Sequence, residues 1–152
     1  MVELIDTLFI CRFFNFMKKQ TRGKLVKELD NIFSRYIRLR DCNRNWIVVC
    51  PLCWAKIPRK KAQNMHFISR GVMRYRYNEE NCHAGCMRCN VILNWNYIEY
   101  TLYMINKYWK TKVEEMRSNK QVYKIGTPEI KSMIEYYSEE VINLARKKWI
   151  EL

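Results

Sequence analysis

The residues most able to do chemistry in this chain are concentrated between positions 50 and 90. Two Cys-x-x-Cys pairs enclose the segment: Cys50, Cys53, Cys86 and Cys89. Four thiolates from two such pairs can complete a tetrahedral zinc site. Because we expect a reducing compartment, we expect these cysteines to bind metal rather than to form disulfides. The spacing therefore predicts a structural zinc ion that joins two loops and contributes directly to folding.

Both histidines of the chain, His66 and His83, lie between the cysteine pairs, with Asn81 and Asn90 close by. A histidine at the end of a strand can polarise water, and an amide oxygen can bind Mg²⁺. Each residue also has a structural interpretation. His66 could be a hydrogen-bonded core residue, and His83 could be an alternative zinc ligand. The two asparagines could be helix caps.

Positive charge is densest around the same segment. The chain has 28 Lys and Arg residues against 15 Asp and Glu, and residues 50–90 alone carry eight basic and two acidic residues. A local excess of this kind predicts a nucleic-acid partner, although a solubilising basic surface is the alternative. The candidate DNA-contacting residues are Lys60, Lys61, Arg70, Arg74, Arg76 and Arg88. Tyr75 and Tyr77 alternate with two of these arginines, Arg74 and Arg76. This pattern suits contacts to sugar-phosphate and unstacked bases, and the alternative is that the two tyrosines pack inward.

The composition excludes several classes of protein. An apolar fraction of 49% is sufficient for a folded core and argues against disorder. The longest apolar run, 46–50, is far too short to span a membrane. We therefore expect a soluble intracellular protein with no membrane partner. Outside the paired cysteines, Cys11 is expected to be a small buried hydrophobic residue, whereas Cys42 and Cys82 have no predicted role.

Helices are predicted on both sides of the cysteine segment. A short apolar helix is expected over 2–17, and a second over 24–41. The apolar stripe of the second helix consists of Leu25, Leu29, Ile32, Tyr36 and Leu39. Thr127, Pro128 and Glu129 predict the start of a third helix. Its stripe consists of Ile130, Ile134, Tyr137, Val141 and Leu144.

Within the cysteine segment we predict a strand over 46–49, a basic turn over 55–61, a second strand through 66–68 and a loop over 70–77. The second cysteine pair is expected to open another helix, which ends near position 109. Its apolar stripe consists of Val91, Trp95, Ile98, Leu102, Ile105 and Trp109. We expect this stripe to face the core.

The order of these elements resembles the ββα-metal (HNH) nuclease core, in which a strand ends at a histidine and a helix follows an asparagine. More specifically, three segments resemble the NinG (Rap) family of phage recombination proteins. They are 30–41 (DNIFSRYIRLRD), 66–70 (HFISR) and the Asn-x-His-x-x-Cys-x-x-Cys-Asn sequence over 81–90. The regions near 127–130 and 136–137 are also similar. The resemblance covers about residues 24–150, and the cysteine and histidine pattern also resembles phage endonuclease VII.

The resemblance implies a role for each matching residue. His66 would be the general base, Asn81 would fix the loop that holds this base, and His83 would be a ligand or a phosphate donor. Asn90 would bind a catalytic Mg²⁺ or Mn²⁺ ion. Sites like that of endonuclease VII have an aspartate before the catalytic histidine, whereas this chain has Met65. That departure is expected to weaken binding of the catalytic metal unless another group replaces the carboxylate.

We therefore predict an α+β chain with a zinc-bound ββα-metal (HNH-like) core, flanked by an N-terminal helix and C-terminal helices. The expected divisions are an N-terminal extension (1–23), the nuclease core with its leading helix (24–110) and a C-terminal helical region (111–152). The resemblance implies an Mg-dependent endonuclease that acts, as a homodimer, on branched or single-strand-containing DNA. The alternatives are a non-catalytic zinc-dependent DNA-binding accessory protein and a zinc-stapled adaptor for other proteins.

Overall fold

The computed structural model describes residues 20–119 and 121–150. The expected helix over 2–17, most of the expected N-terminal extension and Cys11 lie outside these ranges. The described chain combines helices with two small antiparallel sheets. None of the described helices is long and apolar enough to cross a membrane.

The first helix, α1 (Arg22–Arg40), forms where the apolar periodicity predicts it. Every member of the predicted stripe is buried except Ile32, which is partly buried. Phe33 and Ile37 widen this buried face. Asp41 follows the helix, and its backbone N–H donates to the carbonyl of Ile37. The apolar face of α1 is therefore the centre of the main core.

Four strands form two separate hairpins. Strand β1 (Ile47–Val49) pairs with β2 (Lys56–Pro58), with Ile47 opposite Pro58. Strand β3 (Gln63–His66) pairs with β4 (Cys82–Gly85), with His66 opposite Cys82. The predicted basic turn over 55–61 was partly wrong because it contains β2 and a 3₁₀ turn (Arg59–Lys61). The predicted loop over 70–77 contains a short helix, α2 (Met73–Arg76).

The chain after β4 departs most from prediction. A π-helical turn (Arg88–Ile92) leads into a 3₁₀ turn (Asn94–Asn96), whose three residues all have positive φ. L-residues with side chains rarely adopt this left-handed backbone, so it ends one helical phase and begins another. Helix α3 (Tyr97–Tyr108) follows, and α4 (Lys110–Ser118) begins after another positive φ at Trp109.

Because of this change of phase, the apolar stripe predicted for the helix after the second cysteine pair is wrong. Ile98, Leu102 and Trp109 are 75%, 52% and 79% exposed. The fully buried side chains of α3 are instead Tyr100 and Met104. Together with Val113 and Met116 of α4, they form a second core around the paired cysteines.

The last helix, α5 (Thr127–Ile150), starts at the predicted threonine and packs along α1. Its predicted stripe is buried, with Leu144 partly buried. The rings of Phe33 and Tyr137 meet edge to face at 4.9 Å. Glu79, which precedes β4, accepts hydrogen bonds from Tyr36 (2.7 Å) and Tyr137 (3.3 Å). This carboxylate therefore ties both long helices to the second hairpin.

Candidate active-site cleft and metal centre

The four paired cysteines meet at one point between the two hairpins. Their sulfur atoms all lie within 4.8 Å of one another, and the sulfurs of Cys53 and Cys86 are 3.6 Å apart. Four Zn–S bonds of about 2.3 Å at tetrahedral angles would place the sulfurs about 3.8 Å apart. Two Cys-x-x-Cys turns thus supply the donor set and the spacing of a structural zinc site, as the sequence predicts.

The protonation of these thiols is also consistent with a bound cation. Burial, followed by the neighbouring thiols, raises the pKa of Cys89. Burial likewise raises the pKa of Cys50. For Cys86, burial is outweighed by hydrogen bonds from Cys89 and Cys53, which lower its pKa; Cys53 is exposed. A divalent metal would remove the cost of ionising these thiols side by side. Asn96 Nδ2 contacts the sulfur of Cys89 at 3.9 Å, as an outer hydrogen-bond donor to a thiolate would.

Met65 belongs to this metal side of the β3–β4 hairpin. It is fully buried and packs in the same core as Cys50 and Cys89. A Cβ atom added to Gly85, which lies nearby, would fall 2.5 Å from the Met65 sulfur and 3.4 Å from the Cys50 sulfur. The absence of a side chain at Gly85 therefore allows β4 to approach both the methionine and the thiols.

Side chains alternate along a strand, so His66 points away from Met65. On that opposite side lies a cleft of about 330 Å³ between α1, β3 and the π-helical turn. Its polar lining consists of Asp30, Ser34, Arg38, Gln63, Asn64, His66, Arg70, Arg76 and Asn90. The structure therefore brings His66 and Asn90, two of the predicted site residues, to one cavity.

The orientation of the His66 ring suits a general base. Its Nε2 lies 3.1 Å from the carbonyl oxygen of Arg76. Because a carbonyl only accepts, Nε2 carries the proton and Nδ1 keeps a lone pair. Burial lowers the pKa of His66, and the positive charges of Arg70 and Arg76 act in the same direction. The ring is therefore neutral at neutral pH and able to accept a proton.

Arg76 itself is held by Asp30 of α1. The two side chains form a forked pair with N–O distances of 2.8 and 2.5 Å, and Tyr77 donates to the same carboxylate at 2.9 Å. The hydrogen bond from Arg76 to Asp30 is the largest cause that raises the pKa of Arg76. Arg76 therefore fixes the backbone that orients His66, whereas exposed Arg70 is available to an anion.

Asn81 is fully buried and holds the segment after His66. Its Oδ1 accepts from the backbone N–H of Ile68 at 2.7 Å, and its Nδ2 donates to the carbonyls of Ile68 and Tyr75, both at 2.9 Å. The side chain thus closes the loop that carries Arg70 and leads to Arg76. It does not line the cleft.

His83 lies on the metal side of the hairpin, opposite Met65 in the strand register. The ring is buried, with Nδ1 3.0 Å from the Tyr100 hydroxyl and Nε2 3.3 Å from that of Tyr108. Burial, Lys107 and Arg40 lower its pKa to about 2. The structure does not bring His83 together with His66, so we assign it no role in the cleft.

Two amide side chains offer oxygen atoms to the cleft. Asn90 donates through Nδ2 to Gln63 at 2.7 Å, and its Oδ1 accepts no hydrogen bond from the described residues. The Oδ1 of Asn64 is buried and likewise without a partner in the described part of the chain. These are hard ligands suited to Mg²⁺. The fit is partial, because Asp30 is the only carboxylate among the described residues that line the cleft, and it is bonded to Arg76.

The remaining predicted DNA-contacting residues do not line the cleft. Lys60, Lys61 and Arg88 are exposed. Arg74 instead donates to Gln121 at 3.1 Å, and its guanidinium lies 5.5 Å from the Tyr123 ring centre.

Sequence reasoning missed Asp30, Ser34, Arg38 and Asn64 as residues of the cleft. The first three are spaced four apart on α1 within the 30–41 segment, so they form one helical stripe. That spacing was a usable signal. For Asn64 the only signal in the sequence was its position two residues before His66, which places both side chains on the same side of a strand.

Comparison with known families decides what this chain is related to. The model of the family described as "Bacteriophage Lambda NinG protein" matches residues 15–148. The chain belongs to the NinG family. No curated protein and no solved structure matches it. The NinG match includes both the cysteine cluster and every residue of the cleft.

Proposed function

We propose that this NinG-family protein is a structure-specific endonuclease that cuts branched DNA intermediates of phage recombination, in the cytoplasm of a phage-infected or prophage-bearing host. The observation that carries the proposal is the state of His66. It is a neutral imidazole whose Nδ1 has no hydrogen-bond partner among the described residues, and it is fixed by a backbone carbonyl in a cleft with Arg38 and Arg70. A base beside two cations is an arrangement suited to hydrolysis of a phosphodiester.

In the proposed reaction, Nδ1 of His66 takes a proton from a water molecule as the water oxygen attacks phosphorus. The bond between phosphorus and one sugar oxygen breaks, and that oxygen leaves with a proton from solvent. Arg70 and Arg38 bind the non-bridging oxygens of the phosphate, where negative charge increases in the transition state.

A divalent ion bound with the substrate phosphate would supply additional charge neutralisation. Asn90 and Asn64 are the residues that would hold this ion, each through its amide oxygen. The order of a β3–β4 hairpin, a helical turn and a ligand on that turn supports the comparison with the ββα-metal core.

We further propose that the active form is a homodimer. The support is the exposed apolar face of α3, which includes Ile98 and Leu102. Exposed apolar patches on one helix commonly mark contacts with another protein surface. Leu102→Glu is expected to convert a dimer into a monomer in light scattering, whereas Ile142→Glu on α5, also about half exposed, should not. A monomeric wild-type protein would refute the proposal.

The decisive experiment compares cutting of a four-way junction and a linear duplex in the presence of Mg²⁺. His66→Ala should lower the rate of junction cleavage by about 10²–10⁴-fold, because it removes the general base. Zinc content and junction affinity should be unchanged. His83→Gln is the matched control, since it changes the same residue type on the other side of the hairpin. Equal cutting by His66→Ala and wild type would refute the assignment of the base.

One observation favours the second candidate, a non-catalytic DNA-binding accessory protein. Within the described part of the chain, Asp30 is the only carboxylate in the cleft lining and is held by Arg76, so these residues offer no free acid to a catalytic metal. Under this alternative the wild-type protein would bind junctions through its basic surface and cut none of them with Mg²⁺ or Mn²⁺.

A further inference from the structure

A second groove lies at the base of the first hairpin, outside the His66 cleft. It has a volume of about 370 Å³ and is lined by Trp46, Pro58, Arg59, Lys60 and Trp149. The centres of the two indole rings are 6.0 Å apart, at an interplanar angle of 55°. Its volume lies within the range of small-ligand pockets, about 300–1,000 Å³.

The groove combines aromatic surface with positive charge. The guanidinium of Arg59 lies 5.1 Å from the centre of the Trp46 ring, and the backbone N–H of Arg59 donates to the Trp46 carbonyl at 2.8 Å. Among the described residues, Nε of Arg59 is buried and has no hydrogen-bond partner. A buried donor without a partner indicates a missing acceptor. Trp149, at 66% exposed, leaves much of its ring available for stacking.

Basic residues connect this groove to the His66 cleft. The 3₁₀ turn that carries Arg59, Lys60 and Lys61 leads directly into β3, which carries His66. Burial lowers the pKa of Arg38 in the cleft, and repulsion from Arg59 and Arg35 adds to that effect. The charge of Arg59 beside the groove therefore acts on Arg38 in the cleft.

We propose that the Trp46–Trp149 groove is a subsite for an unstacked base of single-stranded DNA, whose backbone runs over Lys60 and Lys61 into the cleft. The base stacks on the exposed ring of Trp149, and a phosphate or base oxygen accepts from Arg59. Aromatic side chains beside a basic track are typical of single-strand binding, because every base has a face that can stack. Among the residues that the structure describes, none that lines the groove is acidic, which fits a polyanion.

This inference deepens the proposed function and rests on it for the direction of the strand. It assigns a substrate containing an unpaired segment, such as a junction with an open arm. Trp149 lies one position beyond the range matched by the NinG family. The family match therefore does not account for this ring.

The test measures DNA binding by the full-length, zinc-loaded protein. All variants carry His66→Ala and are studied without added magnesium, so that no DNA is cut. The probes are a fluorescein-labelled oligo-dT of about 12 nucleotides and a blunt duplex of the same length. Trp149→Ala should weaken binding of oligo-dT by about tenfold or more, because it removes one stacking platform. Trp149→Phe should keep most of that affinity, and duplex affinity should change by less than about twofold in both variants.

Trp109→Ala is the matched control, because Trp109 is 79% exposed and lies outside the groove. If Trp149→Ala fails to fold, Lys60→Glu takes its place as the test variant, because it reverses an exposed charge on the same groove and should also weaken oligo-dT binding.

Unchanged oligo-dT affinity in the variant that folds would overturn the proposal, as expected if another polypeptide segment fills the groove. An equal loss by Trp109→Ala, or tighter binding to oligo-rU than to oligo-dT, would also overturn it. Because no cutting is measured, an absence of nuclease activity would leave this result intact.

Discussion

Asp30→Asn tests whether Asp30 of α1 positions His66, the proposed general base. The carboxylate of Asp30 holds Arg76 through a forked ion pair and accepts from Tyr77, and the carbonyl of Arg76 orients His66. The paired side chains are 19% and 31% exposed, so solvent screens only part of their attraction. Hydrogen bonds to charged groups contribute about 1.5–3 kcal/mol each when buried; discounted for exposure, the substitution should cost about 1–3 kcal/mol. For a chain of this size, that lowers Tm by roughly 2–12 °C.

The same substitution should change the pH dependence of cutting. Asp30 is one of the groups that raise the pKa of His66, against burial, which lowers it. Without the negative charge, the pKa of His66 falls further. A general base works in its neutral form, which exists above its pKa, so the acidic limb of the rate profile should move to lower pH. The plateau rate should also fall, because the Arg76 carbonyl no longer fixes the ring.

The assay is junction cleavage across the pH range, together with thermal unfolding. Glu28→Gln is the matched control, because it neutralises an exposed carboxylate on the same helix and should alter neither measurement. An Asp30→Asn protein with the wild-type Tm, plateau and acidic limb would refute the link from α1 to His66. A lower Tm with an unchanged pH–rate profile would show that Asp30 stabilises the fold without affecting His66.

Three further predictions concern the metal side of the hairpin. Cys89→Ser should lose the bound zinc in a colorimetric assay and unfold at lower temperature, whereas Cys42→Ser should retain the metal; a full zinc content in Cys89→Ser would contradict the site. His83→Gln should reduce the loss of stability that the protein shows as the pH falls below about 6.5. In the wild type the pKa of His83 is about 2 when folded, below its unfolded value, so between these two pKa values only the unfolded chain binds the proton. That difference lowers the free energy of unfolding by up to about 1.4 kcal/mol per pH unit. An unchanged slope would show that His83 is not buried as described. Met65→Asp should lower Tm and zinc content without raising cleavage, because it buries a carboxylate beside the thiols; faster cutting would show that position 65 reaches the cleft.

The parts of the fold that were predictable depend on local patterns. The apolar periodicity of α1 and α5 and the Thr-Pro-Glu start of α5 each specify structure within a few residues. The spacing of the two Cys-x-x-Cys pairs likewise predicted that the four sulfurs come together. Strand β2 was missed because it has only three residues and ends at Pro58, which gives no alternating pattern to detect.

Other features depend on contacts that no local pattern reports. The left-handed backbone over 94–96 shifts the helical phase, so Tyr100 and Met104 replace Ile98 and Leu102 in the core. No glycine marks that break. The cleft was only half predictable for a different reason, because α1 contributes one wall from more than 20 residues before His66. The family resemblance identified the segment over 30–41, but only packing brings Asp30 into the same cleft as His66.

The two sides of the β3–β4 hairpin explain why Met65, in place of an aspartate before His66, does not simply remove a ligand from the cleft. Adjacent strand residues face opposite ways, and Met65 fills the space between Gly85 and the thiols while His66 faces the cleft. A carboxylate at position 65 would therefore compete with the zinc scaffold instead of completing the cleft. Asp30 provides the carboxylate on the His66 side, yet it is neutralised by Arg76 and acts through the backbone carbonyl that orients the ring. It follows that any catalytic metal would depend on amide oxygens and the substrate phosphate for its ligands, and that DNA binding should precede metal binding.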